Sequence, residues 1–306
     1  MSSAWSWIKV YLLAACLLLP VTVQAQVSVT DSLGTHEFAE RPERIVALNW
    51  AVTENLVELG VAPVAIADVE GYRTWVVQPQ LPQGIADVGL RDEPNIERLA
   101  SLQPDVIIIG TQQLGLKDKL EQVAPVLYFD NYRADHSNPE AVEGTFRELA
   151  RLLDREDLAE QKLAERDRRL QELATQLQGH FPEGLPEVAV IRFTDVNHVR
   201  VYGRNSLVLA AMQALGLEAA LPQPVTTWGQ TQKTLTELVA VDDGILLYIQ
   251  PFAQEDRLAQ HPLWQRFPFV QQDRIGSLPP VWTYGGPLSI QYLGEALATT
   301  LLERDW

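Results

Sequence analysis

Five aromatic side chains fall where the chain reads as loop: Tyr72 and Trp75, then Trp228, then Trp282 and Tyr284. Trp and Tyr are commonly half-buried packing residues, and that is one reading of each ring. Trp228, however, sits in Thr227-Trp-Gly-Gln230 and Trp282 in Pro280-Val-Trp-Thr-Tyr-Gly-Gly286, polar and turn-rich settings that bury an indole poorly. Rings exposed together at a cleft would give apolar walls to a ligand. Arg91 is the polar candidate. It follows Asp87-Val-Gly-Leu90 and precedes Asp92-Glu93-Pro94, so it stands at the end of a loop. Two readings are open for it: a surface ion pair with Asp92 or Glu93, or a planar fork of donors aimed at the oxygens of a bound anion or polar chelate.

Signatures of covalent or metal chemistry are missing from the sequence. It has no Gly-x-Ser-x-Gly, no phosphate-cradling glycine-rich turn, no His-Glu-x-x-His and no Cys/His cluster. The five histidines, His36, His136, His180, His198 and His261, are widely separated. The chemistry that remains is recognition rather than catalysis. With 24 Lys+Arg against 40 Asp+Glu, the formal charge of −16 argues against nucleic acid or an anionic membrane surface as partner.

These residues need elements to hold them. Continuous apolar runs, Arg44-Ile-Val-Ala-Leu48, Val64-Ala-Ile-Ala67, Asp105-Val-Ile-Ile-Ile-Gly110 and Pro125-Val-Leu-Tyr-Phe129, read as buried parallel strands. A short hairpin turning at Gly34 precedes them, and a helix over 54–59 stops at Gly60. The scheme repeats after residue 180, with strands at 187–193, 244–249 and 274–278, a helix over 206–215 ended by Gly216, and a last amphipathic helix over 290–302. Strands alternating with helices predict parallel sheets covered on both faces. In such sheets ligands bind beyond the carboxyl ends of the strands, where the aromatic loops fall.

Between the two halves the chain reads as helix throughout. One run covers 139–153, and Asp154-Arg-Glu-Asp157 resembles a capping-box start for a second. Leu163, Leu170, Leu173, Ala174 and Leu177 form an apolar stripe, with Glu165, Arg166, Asp167, Arg168 and Arg169 on the other face. Roughly 22 residues at 1.5 Å each give a rod of about 33 Å, long enough to leave one domain and enter another. The expected fold is therefore α/β, two lobes of mainly parallel sheets flanked by helices and joined by one long bridging helix. The expected boundaries are a signal peptide at 1–25, a first lobe at 26–153, the bridging helix at 154–179 and a second lobe at 180–306.

The leader reading rests on Lys9, the apolar run that follows it, and Val23-Gln24-Ala25 as a small-residue cleavage pattern. It predicts an exported, periplasmic protein. A second reading takes Leu13-Ala14-Ala15-Cys16 as a lipobox, with lipid on Cys16, although apolar residues continue to Val23 where a polar tether is usual. Cleavage after Ala25 would remove the chain's one cysteine, and with it any disulfide or thiolate site.

Several segments taken together are recognisable: Tyr72-Arg-Thr-Trp75, Asp87-Val-Gly-Leu-Arg91, Glu93-Pro-Asn95, Leu102-Gln-Pro-Asp105, Gly203-Arg-Asn-Ser-Leu207, Trp228-Gly229, Pro262-Leu-Trp264 and Pro280-Val-Trp-Thr-Tyr-Gly285. In order and over nearly the whole mature chain, they resemble the periplasmic iron-siderophore binding proteins of ABC importers, most closely those for ferric hydroxamates. The resemblance implies a ferric siderophore as ligand, no cofactor, no metal bound by the protein itself, an inner-membrane ABC permease as partner, and a monomer. It implies that Arg91 bonds the chelating oxygens, that Trp75, Trp228, Trp282 and Tyr284 line the pocket, and that Tyr72 stands beside them. Gln113 falls where the family has a pocket tyrosine, which would make one wall more polar. Arg204 replaces a proline before Asn-Ser-Leu; if it, Arg192 or Arg200 turned inward, a chelate carrying carboxylates would be favoured. The resemblance also implies permease docking through one acid on each lobe, with Asp118 in the first and Glu255 or Asp256 in the second as candidates. A haem or corrinoid carrier on the same scaffold, or an exported hydrolase of siderophores or esters, are the alternatives.

Overall fold

A computed structural model describes residues 27–303 and 306; the predicted signal peptide and the lipobox lie outside the described residues. The chain opens with an antiparallel hairpin, β1 (Val27–Thr30) and β2 (Thr35–Phe38). Both oxygens of Asp31 work at its turn: Oδ1 accepts from the Leu33 and Gly34 N–H groups, and Oδ2 accepts from Tyr128 N–H across the lobe.

The first sheet is built from β3 (Ile45–Ala47), α1 (Trp50–Glu58), β4 (Ala65–Ile66), α2 (Val69–Trp75), β5 (Ala86–Asp87), α3 (Ile96–Ser101), β6 (Val106–Gly110), α4 (Lys117–Leu120) and β7 (Val126–Phe129). All five strands are parallel, in the order β5-β4-β3-β6-β7. The order reverses direction between β3 and β6, and this switch point is where an open α/β sheet leaves a crevice. Helix α1 starts at Trp50, earlier than the sequence pattern suggests, because the Asn49 side chain accepts from Ala51 N–H and caps it.

Two long helices follow, α5 (Asn138–Leu153) and α6 (Glu156–His180). Asp154 does not cap the second helix as expected. It is the left-handed residue that ends the first (φ 57°), and its carboxylate pairs with Arg41 at 2.6 Å. The 25 residues of α6 span about 37 Å. Their buried positions are Ala159, Leu163, Arg166, Leu170, Leu173 and Leu177. Ala159 and Leu163 join the core of the first lobe, whereas Leu170, Leu173 and Leu177 join that of the second. Arg166, expected on the polar face, lies on this seam between the two cores and is tied down by Glu143 at 3.1 Å and Asp167 at 2.8 Å.

The second sheet comprises β8 (Glu187–Phe193), β9 (His198–Tyr202), β10 (Glu218–Ala219), β11 (Gln230–Thr234), β12 (Ile245–Ile249) and β13 (Ile275–Leu278). Strands β10, β8, β12 and β13 pair in parallel, while β9 and β11 add an antiparallel flank in the order β11-β9-β8. Helix α7 (Leu207–Ala214) follows β9, the short helices α8 (Glu255–Ala259) and α9 (Pro268–Gln271) follow β12, and α10 (Ser289–Leu302) packs on α6 and α7.

Two polar anchors lock the lobes together. Asn138 at the start of α5 gives its backbone N–H to Asn205 Oδ1 (2.9 Å) and its side-chain amide to Thr227 O (3.1 Å). On the other side, Glu54 of α1 accepts from Gly286 N–H (3.1 Å) and from the Ser289 hydroxyl (2.8 Å) at the head of α10. The approach is so close that a Cβ on Gly286 would stand 1.9 Å from Asn55 Oδ1. Glu54 is fully buried, and desolvation pushes its carboxyl up from 4.5 to about 8 against the opposing hydrogen bonds from Ser289 and Gly286.

Candidate functional site

The crevice at the switch point opens toward the second lobe and becomes the cleft. Its first wall comes from residues just beyond strand ends: Asn49 and Trp50 after β3, Arg91 beyond β5, Gly110, Thr111 and Gln112 at the end of β6, and Phe129, Asn131 and Tyr132 at the end of β7. Its second wall is Arg200 of β9, Trp228 before β11, and Trp282 and Tyr284 after β13. At Gly110 a Cβ would meet Asn49 Nδ2 at 2.4 Å, so glycine lets the ends of β3 and β6 close up at the floor.

Rings run without interruption from one lobe to the other. Trp50 meets Trp282 edge-on at 5.0 Å between centroids, Trp282 meets Tyr284 at 5.5 Å, and Tyr284 meets Trp228 at 5.9 Å. Trp228 stacks on Tyr132 at 5.6 Å, and the Tyr132 hydroxyl donates to Gly285 O at 2.9 Å, so the series is pinned where the chain crosses between lobes. Geometries of this kind hold rings beyond what area burial alone gives. Trp50 is fixed further by its indole N–H, which donates to Ala67 O at 3.0 Å.

Arg91 lies across this surface. Its guanidinium carbon is 3.7 Å from the centroid of Trp50 and 5.8 Å from that of Trp282. Burial lowers its affinity for the proton, and Asp68 and Asp92 oppose that, but a guanidinium remains charged throughout. Of its two sequence readings, the ion pair is absent: no acidic oxygen of a described residue comes within 4.0 Å of it. Held over the ring by this cation–π contact, Arg91 is one of the residues lining the cleft.

The structure thus brings Arg91, Trp228, Trp282 and Tyr284 together. It places the other four candidates elsewhere. Tyr72 is buried behind Trp50, edge-on at 6.3 Å, with its hydroxyl donating to Pro79 O at 3.1 Å. Trp75 packs on the first core and faces Arg192, 5.4 Å from its ring. Gln113 is fully buried beneath the wall: its amide donates to Arg91 O at 3.0 Å and accepts from Gly110 N–H at 3.1 Å, while its neighbour Gln112 takes the surface. Arg204 is exposed and borders a separate depression with Gln223. Sequence reasoning missed Trp50, Tyr132 and the polar residues Asn49, Thr111, Gln112 and Asn131. Each follows the carboxyl end of a parallel strand, and that rule would have found them.

Neither Ser, His, Cys, Asp nor Glu is among the lining residues, and the hydroxyl of Thr111 is engaged with Asp130 at 2.8 Å. The hydrolase alternative therefore has no nucleophile and base to assemble in the cleft. No group of three or more His, Cys, Asp or Glu converges to hold a metal among the described residues. The cleft encloses about 240 Å³. That is below the ~300–1,000 Å³ of pockets that bury a drug-sized molecule, so a larger ligand stands partly proud of it.

No helix among the described residues is long and apolar enough to cross a membrane. Comparison with known proteins points one way. The chain is 32% identical over 265 residues to the iron(3+)-hydroxamate-binding protein FhuD of Escherichia coli, covering 86% of this chain and 88% of that protein. It is 26% identical over 263 residues to the achromobactin-binding periplasmic protein of Dickeya dadantii, covering 80% and 81%. The crystal structure of the siderophore-binding protein FhuD from Vibrio cholerae with Fe3+-Desferal superposes with a TM-score of 0.84 at 41% identity, over 85% of this chain and 98% of that one. The periplasmic binding protein profile matches residues 45–281, and the chain belongs to that family.

Proposed function

We propose that this chain captures a ferric siderophore in the periplasm and delivers it to an ABC importer of the inner membrane, with hydroxamate among the chelating groups. The observation that carries the reading is Arg91 laid on Trp50 within a belt of rings, in a cleft that offers no metal ligands. A ferric siderophore satisfies its iron with its own oxygens. It needs from the protein donors for the outer lone pairs of those oxygens and apolar walls for its linkers, and Arg91 with the ring belt supplies both.

The site set of this proposal is Arg91, Trp228, Trp282 and Tyr284, extended by Trp50, Tyr132 and Gln112. Docking on the permease is assigned to the exposed acids Asp118 on α4 and Asp256 on α8, with Glu255 beside it. These helices follow β6 and β12, whose carboxyl ends face the cleft side of their sheets. Glu255 is partly engaged, accepting from the Tyr248 hydroxyl at 2.7 Å, which leaves Asp256 the freer of the pair. The protein acts as a monomer, exported by the leader at 1–25, and uses no cofactor.

The test is tryptophan-fluorescence titration of the purified mature chain with ferric hydroxamate, citrate-type and catecholate siderophores, with haem as control. Saturable quenching by a ferric hydroxamate, with none by haem, is expected. Binding of haem alone would replace this reading with the haem-carrier one.

A further inference from the structure

The cleft has a charge opposite to that of its protein. The chain carries 40 acids against 24 Lys+Arg, yet the residues lining the cleft include two arginines, Arg91 and Arg200, and no acid. The two stand on different walls, one on each lobe. Several arginines outside the cleft pair with carboxylates, as Arg147 does with Glu143 and Glu160, or Arg169 with Glu295. Neither Arg91 nor Arg200 has an acidic oxygen of a described residue within 4.0 Å.

Behind Arg200 stands a second unusual cation. Arg192 on β8 is the direct cross-strand partner of Arg200 on β9. Like charges placed opposite each other weaken a sheet. On their shared face Arg200 is hydrogen-bonded to Tyr284 and Arg192 faces the Trp75 ring, while Val199 and Val201 fill the other face. Arg192 is 7% exposed, donates one amino group to Val281 O at 2.9 Å, and keeps a buried Nε without a partner among the described residues. A positive potential on this wall is thus maintained at a cost to the sheet. In a partly water-excluded cleft such charges are screened far less than at the surface.

The charge of a ferric chelate depends on its donor groups. Three hydroxamates neutralise Fe3+, whereas a hydroxycarboxylate or free carboxylates in the ligand leave a net negative complex. We propose that Arg200, supported from behind by Arg192, forms with Arg91 a cationic clamp that selects anionic ferric chelates, those joining carboxylate or hydroxycarboxylate to hydroxamate, over neutral or cationic tris-hydroxamates. This rests on the reading of the cleft as a ferric-chelate site and adds to it the chemical class and the residue that sets it. Arg91 serves any chelate oxygen, and Arg200 serves the extra charge.

The experiment titrates the mature protein by tryptophan quenching with three probes: ferrioxamine B, which is cationic; its N-acetyl derivative, which is neutral; and ferric aerobactin, a citrate dihydroxamate and anionic. The wild type is expected to bind the anionic chelate at least tenfold more tightly than the neutral one at low salt, with the ratio shrinking as salt is added. Arg200→Leu should lower affinity for the anionic chelate tenfold or more and shift the neutral one less than threefold, while Arg200→Lys keeps part of the preference. Equal losses for all three chelates in Arg200→Leu would overturn the proposal, as would a wild type that prefers the neutral chelate. If none of the three quenched, the ferric-chelate reading itself would fall, a result separable from loss of preference alone.

Discussion

Replacing Glu54 with Gln should flatten the pH dependence of stability between about pH 5 and 9. The side chain is fully buried at the joint between α1 and α10, and desolvation raises its pKa from 4.5 to about 8. In the unfolded chain the carboxyl ionises near the lower value, so between the two the folded state holds a proton that the unfolded state has released. Stability therefore falls as pH rises through that window and levels off above it. The gap between 4.5 and about 8, at ~1.4 kcal/mol per pH unit, amounts to about 5 kcal/mol when fully developed. The groups facing Glu54 are Glu58, Tyr72, Tyr132 and Tyr292. The three tyrosines are pushed upward by burial, away from the window. Glutamine mimics the neutral acid, with its oxygen to accept from Gly286 N–H and its amide to donate to the Ser289 hydroxyl. For a chain of this size 1 kcal/mol moves Tm by roughly 2–4 °C, so the variant should melt on the order of 10 °C above wild type at pH 9 and within about 3 °C of it at pH 5. Thermal melts of both proteins across that range provide the measurement. Parallel curves, or a variant less stable at pH 9, would refute the account of Glu54 as a buried neutral acid.

Arg91→Ala removes charge-assisted hydrogen bonds worth roughly 1.5–3 kcal/mol, so ferric hydroxamate affinity should fall about tenfold to a hundredfold; an unchanged quenching titration would remove Arg91 from the site. Gly286→Ala forces a methyl to 1.9 Å from Asn55 Oδ1 and should cost about 1–3 kcal/mol, read as a lowered denaturation midpoint. Leu170→Ala on α6 opens a cavity in the second core, and a loss of about 2–5 kcal/mol is expected by the same measurement. Neutralising Asp118, Glu255 and Asp256 together should leave chelate affinity intact while reducing uptake in cells; weakened binding would place these acids in the fold or the cleft instead.

The parallel strands β3, β6, β7 and β12 were legible because a strand buried on both faces is apolar throughout, as Val106–Gly110 is. Strands β9 and β11 escaped that criterion for a different physical reason. His198–Tyr202 alternates between two environments, and Gln230–Thr234 has no apolar residue because it is the polar edge of the sheet. Arg166 shows the same limit: periodicity places it in the seam of α6, but its charge reads as solvent-facing until Glu143 is seen beside it. At the cleft, Arg91 and the rings of Trp228, Trp282 and Tyr284 were legible from turn-rich context. Trp50 was not, since it opens a helix and is almost wholly covered, with Arg91 lying over its ring. Gln113 and Gln112 differ by one position, and only the hydrogen bonds of Gln113 to Gly110 and Arg91 decide which is inside.

The shallowness of the cleft sets how cargo is announced. With one rod sunk into both cores and two polar anchors beside it, the halves have little room to hinge, so a chelate held as proposed would change the surface mainly by what protrudes at its mouth. The guest becomes part of the host's outer surface. On the proposed handover to an importer, a transporter touching that rim would meet the chelate itself, so that the bulk and charge of the cargo would be tested a second time there.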